Sequence, residues 1–375
     1  MRRSLVTIVG LIALSACEWN VPIQRVKPPE PDDGLIHRAT PPEFGTVGDA
    51  GGFANPAAVL FENRVHVFAQ HLGSRTLSWC GDALQGCEWQ VLDGAGGLSG
   101  RVQGVVASEC IAAASWGGEL HVFYRQDESS RRTLRHGVYS NHRWQFETMT
   151  APATTAGCAA TLVDRVLRVA AHDDASGALR LTTNDTFVWA LDAVIANGQD
   201  VGRQSALTST AGLLHVFYSD DDRNALVEAN PGEKKVRESF DAPLGRLAAT
   251  ATGGTAHVFL QDPARRRLLH GISPDKGSWE LETIDGNGAR PGATTNDVGS
   301  SGIAATDALE IFYYDATAGD LRHARPSEDG GWRFERLDGE TEDVGRSPTA
   351  LRLDAGVVVI YEGAEGTVRR AWLAE

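Results

Sequence analysis

Histidine is the residue type in this chain best suited to acid–base or metal chemistry, because its ring titrates near neutral pH and binds transition metals. Seven of the 11 histidines fall at two positions of a repeated pattern. A residue type that recurs from repeat to repeat normally has one structural role. We therefore predict that these rings bond to a neighbouring strand or repeat and are neither catalytic nor metal ligands. The first position holds His66, His121, His215 and His257, and the second holds His136, His270 and His323.

Arginine recurs in a second pattern that could bind an anion. Asp200-Val-Gly-Arg203 and Asp343-Val-Gly-Arg346 share one phrase, Asp297-Val-Gly-Ser300 lacks the arginine, and Gly245-Arg246 is a partial copy. Each copy leads into a predicted strand. We predict that Arg203, Arg246 and Arg346 surround one mouth of a central channel, where guanidinium groups could hold an anion or a sugar acid. The alternative is that each Asp–Arg pair, such as Asp200 with Arg203 or Asp343 with Arg346, only braces its own loop.

Other motifs that carry chemistry do not occur in the sequence. It contains no G-x-S-x-G, no H-E-x-x-H and no P-loop. The acidic run Asp220-Asp-Asp222-Arg223-Asn224 lacks the spacing of a calcium loop, so we interpret it as a solvated turn. Neither C-x-x-C nor H-x-x-x-H spacing is present. We assign no catalytic residue, no metal and no cofactor.

The N-terminus predicts export. Arg2 and Arg3 precede the apolar run Leu5–Leu14, and small residues precede Cys17. Leu14-Ser15-Ala16-Cys17 resembles the bacterial lipobox, which implies cleavage after residue 16 and lipidation of Cys17. The alternative is an ordinary secretory signal with a chance cysteine. Residues 17–33 are polar and rich in proline, as expected of an extended tether. We expect a lipid-anchored protein of the bacterial cell envelope.

The other four cysteines predict two disulfides, because exported proteins meet oxidising conditions. Cys80 and Cys87 flank one predicted hairpin turn, and two residues facing each other across a hairpin can meet disulfide geometry. Cys110 and Cys158 begin equivalent strands in consecutive repeats. We predict the pairs 80–87 and 110–158; other pairings and free thiols are the alternatives.

A repeated unit of four short strands organises the chain. Its second strand centres on an apolar run such as His215-Val-Phe-Tyr218, and its fourth strand opens with tryptophan. Seven copies follow at intervals of 42 to 55 residues. A period of about 40–50 residues with four strands predicts β-propeller blades. The tryptophans are Trp89, Trp144, Trp189, Trp279 and Trp332.

The termini predict how the ring closes. The last copy stops after its third strand, at Thr367–Leu373, and a spare strand-like piece, Leu35–Ala39, precedes the first copy. We predict that residues 35–39 supply the missing fourth strand, which gives an all-β, seven-bladed propeller over residues 34–375. Six blades is the alternative if the weak third copy, Val166–Thr182, is irregular.

Two families resemble this repeat. The turns Ser273-Pro-Asp275-Lys-Gly277-Ser-Trp279 and Ser327-Glu-Asp329-Gly-Gly331-Trp332 resemble the Asp-box of sialidase-like propellers, which is a structural turn. The second strand, with Val-Phe-Tyr, and the Gly-x-Trp opening of the fourth resemble propeller lectins of the fungal fucose-lectin type. That resemblance implies a sugar site between blades built from Arg, Glu and Trp. In this chain the Trp recurs, and the positions expected for Arg and Glu mostly hold His.

The net charge of the chain restricts the classes of partner that it can bind. The formal charge is −14, and it becomes −16 without residues 1–16, which hold Arg2, Arg3 and no acid. An acidic surface repels phosphate backbones, so we expect no nucleic-acid partner. We predict a monomeric, non-enzymatic binding propeller for a glycan or an envelope protein. The alternatives are a sialidase-like hydrolase or lyase, and a structural subunit.

Overall fold

The computed structural model describes residues 34–36, 38–48, 51–100, 110–128, 131–149, 157–184, 189–196, 200–230, 233–274 and 278–374. The predicted signal peptide, Cys17 and the tether lie outside these residues, as does part of the turn at Asp275–Gly277. Residues 33–375 form one compact unit. Across the described residues there is no helix long and apolar enough to cross a membrane.

Seven antiparallel sheets of four strands each confirm the predicted seven-bladed propeller. Blade 1 contains β2 (Phe53–Phe61), β3 (Arg64–His71), β4 (Thr76–Cys80) and β5 (Gln90–Asp93). Blade 2 contains β6 (Ile111–Trp116), β7 (Glu119–Glu128), β8 (Arg131–Ser140) and β9 (Arg143–Thr148). Blade 3 contains β10 (Cys158–Val163), β11 (Val166–Asp173), β12 (Ala178–Asn184) and β13 (Trp189–Ala196).

The remaining blades repeat this order. Blade 4 contains β14 (Val201–Thr210), β15 (Leu213–Asp220), β16 (Ala225–Asn230) and β17 (Glu233–Ser239). Blade 5 contains β18 (Leu247–Thr252), β19 (Thr255–Asp262), β20 (Arg267–Pro274) and β21 (Glu280–Asp285). Blade 6 contains β22 (Val298–Ala305), β23 (Ile311–Asp315), β24 (Asp320–Pro326) and β25 (Trp332–Asp338). Blade 7 contains β26 (Arg346–Leu353), β27 (Gly356–Glu362), β28 (Val368–Ala374) and the N-terminal β1 (Glu43–Thr46).

The second strand of each blade is buried on both faces, which explains its unbroken apolar sequence. In β15, Val216, Phe217 and Tyr218 are each at most 3% exposed. Their side chains alternate between the two faces of the sheet, so they pack against both neighbouring blades. The first two strands are often joined by two residues with positive φ, such as Gly253 and Gly254, the geometry that a tight hairpin requires.

The ring closes through the N-terminal chain, although the predicted closing strand was wrong. Glu43–Thr46, and not residues 35–39, pairs antiparallel with β28. Leu35 instead forms a parallel bridge with Phe334 on the outer edge of blade 6. Leu35 and Ile36 looked like a strand because they are apolar. Along the chain, the fourth strand of one blade directly precedes the first strand of the next. The strand that completes blade 7 must therefore lie directly before β2.

Both predicted disulfides are confirmed. Cys80 and Cys87 join across the turn between β4 and β5, with Cα atoms 5.6 Å apart. Cys110 and Cys158 have Cα atoms 4.9 Å apart and join the starts of the innermost strands of blades 2 and 3. The second disulfide therefore ties two neighbouring blades together beside the channel.

An aspartate carboxylate links three pairs of neighbouring blades as a staple; Asp93 and Asp285 are fully buried, and Asp338 is partly buried. In the first example, the Tyr313 hydroxyl of blade 6 donates to Asp285 Oδ2 of blade 5 at 2.6 Å, and Arg322 Nε lies 3.2 Å from the same oxygen. Tyr361 and Arg369 bind Asp338 in the same way. Tyr124 and Arg135 bind Asp93. The carboxylate ends the fourth strand of one blade, and its partners lie on the second and third strands of the next.

The staple between blades 5 and 6 yields a stability prediction. Tyr313→Phe removes a hydrogen bond to a fully buried carboxylate, so it should lower the free energy of unfolding by about 2 kcal/mol in urea titrations. Tyr218→Phe is the matched control, because Tyr218 occupies the same position in blade 4 and, in the described chain, bonds to no carboxylate. Equal losses for the two variants would contradict the role of the staple.

Candidate functional site

The axial channel contains one of the three predicted arginines. A cavity of about 240 Å³ lies where the innermost strands begin, and all seven blades contribute to its lining. Arg246 lines this cavity together with Ser205, Ser301 and Ser347. Arg203 lines a different pocket, of about 440 Å³, together with Arg132, His172 and Asp174. Arg203 and Arg246 therefore line different cavities, and an arginine ring that binds a ligand stays a prediction.

Two of the predicted arginines brace their own loops. Arg203 Nε lies 2.5 Å from Asp200 Oδ1, three residues before it. Arg346 pairs in the same way with Asp343, and its guanidinium carbon lies 5.4 Å from the centre of the Tyr314 ring. These contacts correspond to the bracing alternative. Both arginine side chains are still 51% exposed, so each can reach solvent.

The recurring histidines bond across strands, as predicted. His121 Nδ1 lies 2.9 Å from His136 Nε2, and His257 Nδ1 lies 2.9 Å from His270 Nε2. Each pair joins the second and third strands of a blade. His66 Nδ1 accepts a bond from Trp79 Nε1 at 3.1 Å. No group of three or more His, Cys, Asp or Glu side chains in the described part of the chain is arranged to hold a metal ion.

Three of the recurring histidines bond to a glutamate that the sequence analysis did not identify. His136, His270 and His323 each place Nδ1 within 3.0 Å of a carboxylate oxygen on the fourth strand. Blade 4 differs, because Glu228 lies on its third strand and bonds to His215 Nδ1 at 2.6 Å. The signal was the shared sequence Trp-x-Phe-Glu in β9 and β25. The three fourth-strand glutamates are Glu147, Glu282 and Glu335.

Tryptophan from the following blade completes two of these sites. Trp332 Nε1 of blade 6 donates to Glu282 Oε1 of blade 5 at 2.9 Å. Trp189 Nε1 of blade 3 lies 3.2 Å from His136 Nδ1 of blade 2. The aligned positions hold histidine, as the sequence shows, but these two sites also contain a glutamate. The acid is present one strand further out than the aligned histidine.

Arginine also reaches three of the carboxylates, each from a different part of the chain. Arg290, in the loop after β21, places Nη2 2.7 Å from Glu282 Oε2. Arg237, on β17, lies 2.5 Å from Glu228. Arg38, before β1, lies 2.6 Å from Glu335. Arg, Glu and Trp consequently meet between blades 5 and 6, at a place we call the Glu282 site: His270, Glu282, Arg290 and Trp332.

The Glu282 site is more exposed to solvent than the other two sites in which an arginine contacts the glutamate. The side chains of Glu282 and Arg290 are 33% and 30% exposed. Glu228 is 1% exposed and is already bonded to His215, Ser273 and Arg237. Glu335 and Arg38 are similarly enclosed. Of these three arginine-bearing sites, the Glu282 site is the one in which both charged groups can reach a ligand.

The environment keeps the Glu282 carboxylate charged. Burial raises its pKa, but hydrogen bonds from His270 and Trp332 and the charge of Arg290 outweigh burial, so the pKa lies below its usual value. Burial, followed by the nearby His270, lowers the pKa of His257 to about 4. The His257 ring is therefore neutral at pH 7. The site presents a carboxylate and a guanidinium side by side.

Comparisons with known proteins place the chain among β-propellers. No protein-family model matches the sequence, and no curated protein is significantly similar to it. Among solved structures, the fucose-specific lectin from Aleuria aurantia is 17% identical, with a TM-score of 0.50, over 77% of this chain and 97% of the lectin. A related structure describes that fold as a six-bladed propeller.

Two further structures share the fold. YCF48 bound to D1 peptide is 14% identical, with a TM-score of 0.54, over 91% of this chain and 98% of that one. The endosialidase of phage phi92 is 10% identical, with a TM-score of 0.51, over 89% and 69%. The suspected resemblance to propeller lectins and sialidase-like propellers therefore holds for the fold.

The histidine pairs predict a pH dependence of stability. Burial and the paired ring lower the pKa of both His121 and His257 to about 4. The unfolded chain binds these protons near pH 6.5, whereas the folded chain binds them only near pH 4. This contribution is therefore complete above pH 6.5 and is lost as the pH falls from 6.5 to 4.

Urea unfolding between pH 6.5 and 4.5, with the disulfides oxidised, tests this contribution. Each neutral buried ring adds a slope of about 1.4 kcal/mol per pH unit, so His257→Gln should reduce the total slope by about that amount. This range lies above the pH at which the bonded glutamates protonate. An unchanged slope in the variant would rule out the protonation of His257 as a cause.

Proposed function

We propose that this protein is a binding propeller that recognises a glycan at the Glu282 site. The observation that supports the proposal is the meeting of Arg290, Glu282 and Trp332 between two blades, with the charged pair open to solvent. Arg, Glu and Trp between blades are the residue types that the resemblance to propeller lectins implies for sugar binding.

The two exposed groups have complementary roles towards a sugar. Glu282 accepts hydrogen bonds from hydroxyls, and Arg290 donates from a planar guanidinium to ring or hydroxyl oxygens. Trp332 is buried, so it positions the carboxylate through its Nε1 and leaves little of its ring for stacking. His270 holds the same carboxylate from the inner side, 3.0 Å away. Recognition therefore depends on hydrogen bonds, with little aromatic stacking.

The known neighbours support a binding role in a general way. One is described as a fucose-specific lectin, another as bound to a peptide, and a third as an endosialidase. Their identities of 10% to 17% support the fold and not a particular ligand. The local constellation around Glu282 is what favours a glycan.

A glycan array followed by titration calorimetry tests the proposal. Glu282→Gln should weaken binding of the best glycan by about tenfold or more, because the amide replaces a charged acceptor and disturbs the bonds to Arg290 and His270. Arg290→Lys should weaken it as well, because lysine lacks the planar fork.

Two controls locate the binding site. Glu335→Gln changes the equivalent carboxylate of blade 6, which Arg38 already occupies, and should leave glycan affinity unchanged. A double Arg203→Ala/Arg346→Ala variant tests the channel mouth in the same assay. Loss of binding only in the double variant would move the site to the mouth. A folded protein that binds no glycan would overturn the proposal.

We also propose that the propeller is tethered to the bacterial envelope through a lipid on Cys17. The lipobox-like sequence Leu14–Cys17 and the proline-rich residues 18–33 support this. In a bacterial host, Cys17→Ser should abolish incorporation of labelled palmitate and shift the protein from the detergent phase to the aqueous phase. Labelling that persists in the variant would exclude Cys17 as the modified residue.

A further inference from the structure

The fourth strands of blades 2 and 6 share one sequence pattern and one register. β9 contains Trp144-Gln-Phe-Glu147, and β25 contains Trp332-Arg-Phe-Glu335. Glu147 pairs with His136, and Glu335 pairs with His323, at equivalent positions of the third strand. Both strands lie on the outer edge of their sheets. The two edges therefore present the same groups to a neighbouring chain.

In blade 6 this edge already binds an extended segment. Phe334 N–H donates to the Gly34 carbonyl at 2.8 Å, and Ile36 N–H donates to the Phe334 carbonyl at 2.9 Å. Leu35 thus forms a one-residue parallel bridge with Phe334. Two residues further on, Arg38 Nε donates to Glu335 Oε1 at 2.7 Å. The protein itself shows what this edge accepts: an extended segment followed by an arginine.

In blade 2 the described part of the chain leaves the same edge without a paired segment. The shared register directs the N–H and C=O of Phe146 away from β8. Within the described chain, no other main-chain group bonds to Phe146 from that side. The Glu147 side chain is 55% exposed, and its hydrogen-bonding partners are His136, at 2.8 Å, and Trp189. Within the described chain, the Phe146 main-chain groups and the Glu147 carboxylate therefore have no counterpart of Gly34–Ile36 and Arg38.

Among the described residues, Glu147 differs from the other three glutamates because no arginine is bonded to it. Glu228, Glu282 and Glu335 each contact an arginine of this chain. Among the described residues, no arginine forms a hydrogen bond or an ion pair with Glu147, and Arg135 acts on it only through its charge. The connection from β9 to β10, residues 149–157, is Met-Thr-Ala-Pro-Ala-Thr-Thr-Ala-Gly and contains no Arg or Lys.

A tryptophan bonded to the carboxylate is compatible with such an arginine. Trp189 Nε1 lies 3.2 Å from His136 Nδ1, and Trp189 also hydrogen-bonds to Glu147. At the Glu282 site a tryptophan and an arginine bind different oxygens of one carboxylate: Trp332 binds Oε1 and Arg290 binds Oε2. Glu147 can hold a guanidinium beside Trp189 in the same way.

We propose that the outer edge of blade 2 binds an extended peptide of a partner protein, with main-chain bonds to Phe146 and a peptide arginine on Glu147. Pairing of a peptide with a sheet edge supplies directional main-chain bonds, and a charged arginine–carboxylate pair selects the side chain. This site is separate from the Glu282 site and does not depend on glycan binding.

Fluorescence anisotropy with the full-length protein tests the proposal. The probe is a fluorescein-labelled peptide with the sequence of residues 32–40, Asp-Asp-Gly-Leu-Ile-His-Arg-Ala-Thr. Replacing its arginine by citrulline, a neutral shape analogue, should weaken binding about tenfold or more, and Glu147→Gln should do the same. N-methylation of the isoleucine amide should weaken binding too, because it removes the donor equivalent to Ile36 N–H.

Glu233→Gln is the matched control, since Glu233 also lies on a fourth strand and is 58% exposed. It should bind the peptide like the unmodified protein. Three outcomes would overturn the proposal: no binding at millimolar peptide, equal binding of the citrulline peptide, or undiminished binding by a folded Glu147→Gln variant. Self-association that Arg38→Ala abolishes would also overturn it, by assigning the edge to a second copy of the chain.

Discussion

The structure depends on carboxylates that are buried between blades and satisfied from the next blade. Asp93 and Asp285 are fully buried, a position in which an unpaired charge would be strongly destabilising. Each is neutralised by an arginine and accepts a hydrogen bond from a tyrosine, and both partners come from the next sheet. A single blade would leave these acids unpaired and both of its apolar faces exposed. The blades are consequently stable only as a ring, and the ring holds each fourth strand at the spacing on which the sites depend.

The sites between blades are variants of one arrangement. In each, a histidine on the inner strands positions a glutamate further out, and the surroundings of that glutamate vary from blade to blade. Arginine comes from the strand itself at Arg237, from the following loop at Arg290 and from the N-terminal segment at Arg38. The histidine–glutamate pair is common to these sites, but the source of the arginine is not. Neighbouring blades can therefore enclose the carboxylate or leave it exposed. The Glu282 site and the Glu147 edge are the exposed forms.

The sequence predicted features that recur, and it could not predict features that depend on contacts between distant residues. The repeated apolar strands predicted seven blades, and equivalent positions of Cys110 and Cys158 predicted their pairing. The glutamates were missed because the local sequence does not mark Glu282 as a site residue. It becomes part of a site only through its contacts with Trp332, 50 residues later, and with Arg290 in an irregular loop. The closing strand was misplaced because Leu35 and Ile36 are apolar enough to pair, although they pair with blade 6. Periodicity does not indicate which blade a segment outside the repeats will contact.

The segment before the closing strand has a mechanical consequence. A pull on the chain ahead of residue 34 does not act first on Glu43–Thr46, the strand that completes the ring. It acts on Gly34–Ile36, which is held along β25 by two main-chain bonds, and then on Arg38, which is clamped by Glu335. This clip lies on blade 6, whereas the closing strand lies on blade 7. Force on the N-terminus must break the bonds of this clip before it can separate β1 from β28. The clip therefore protects the strand pair that closes the ring from that force.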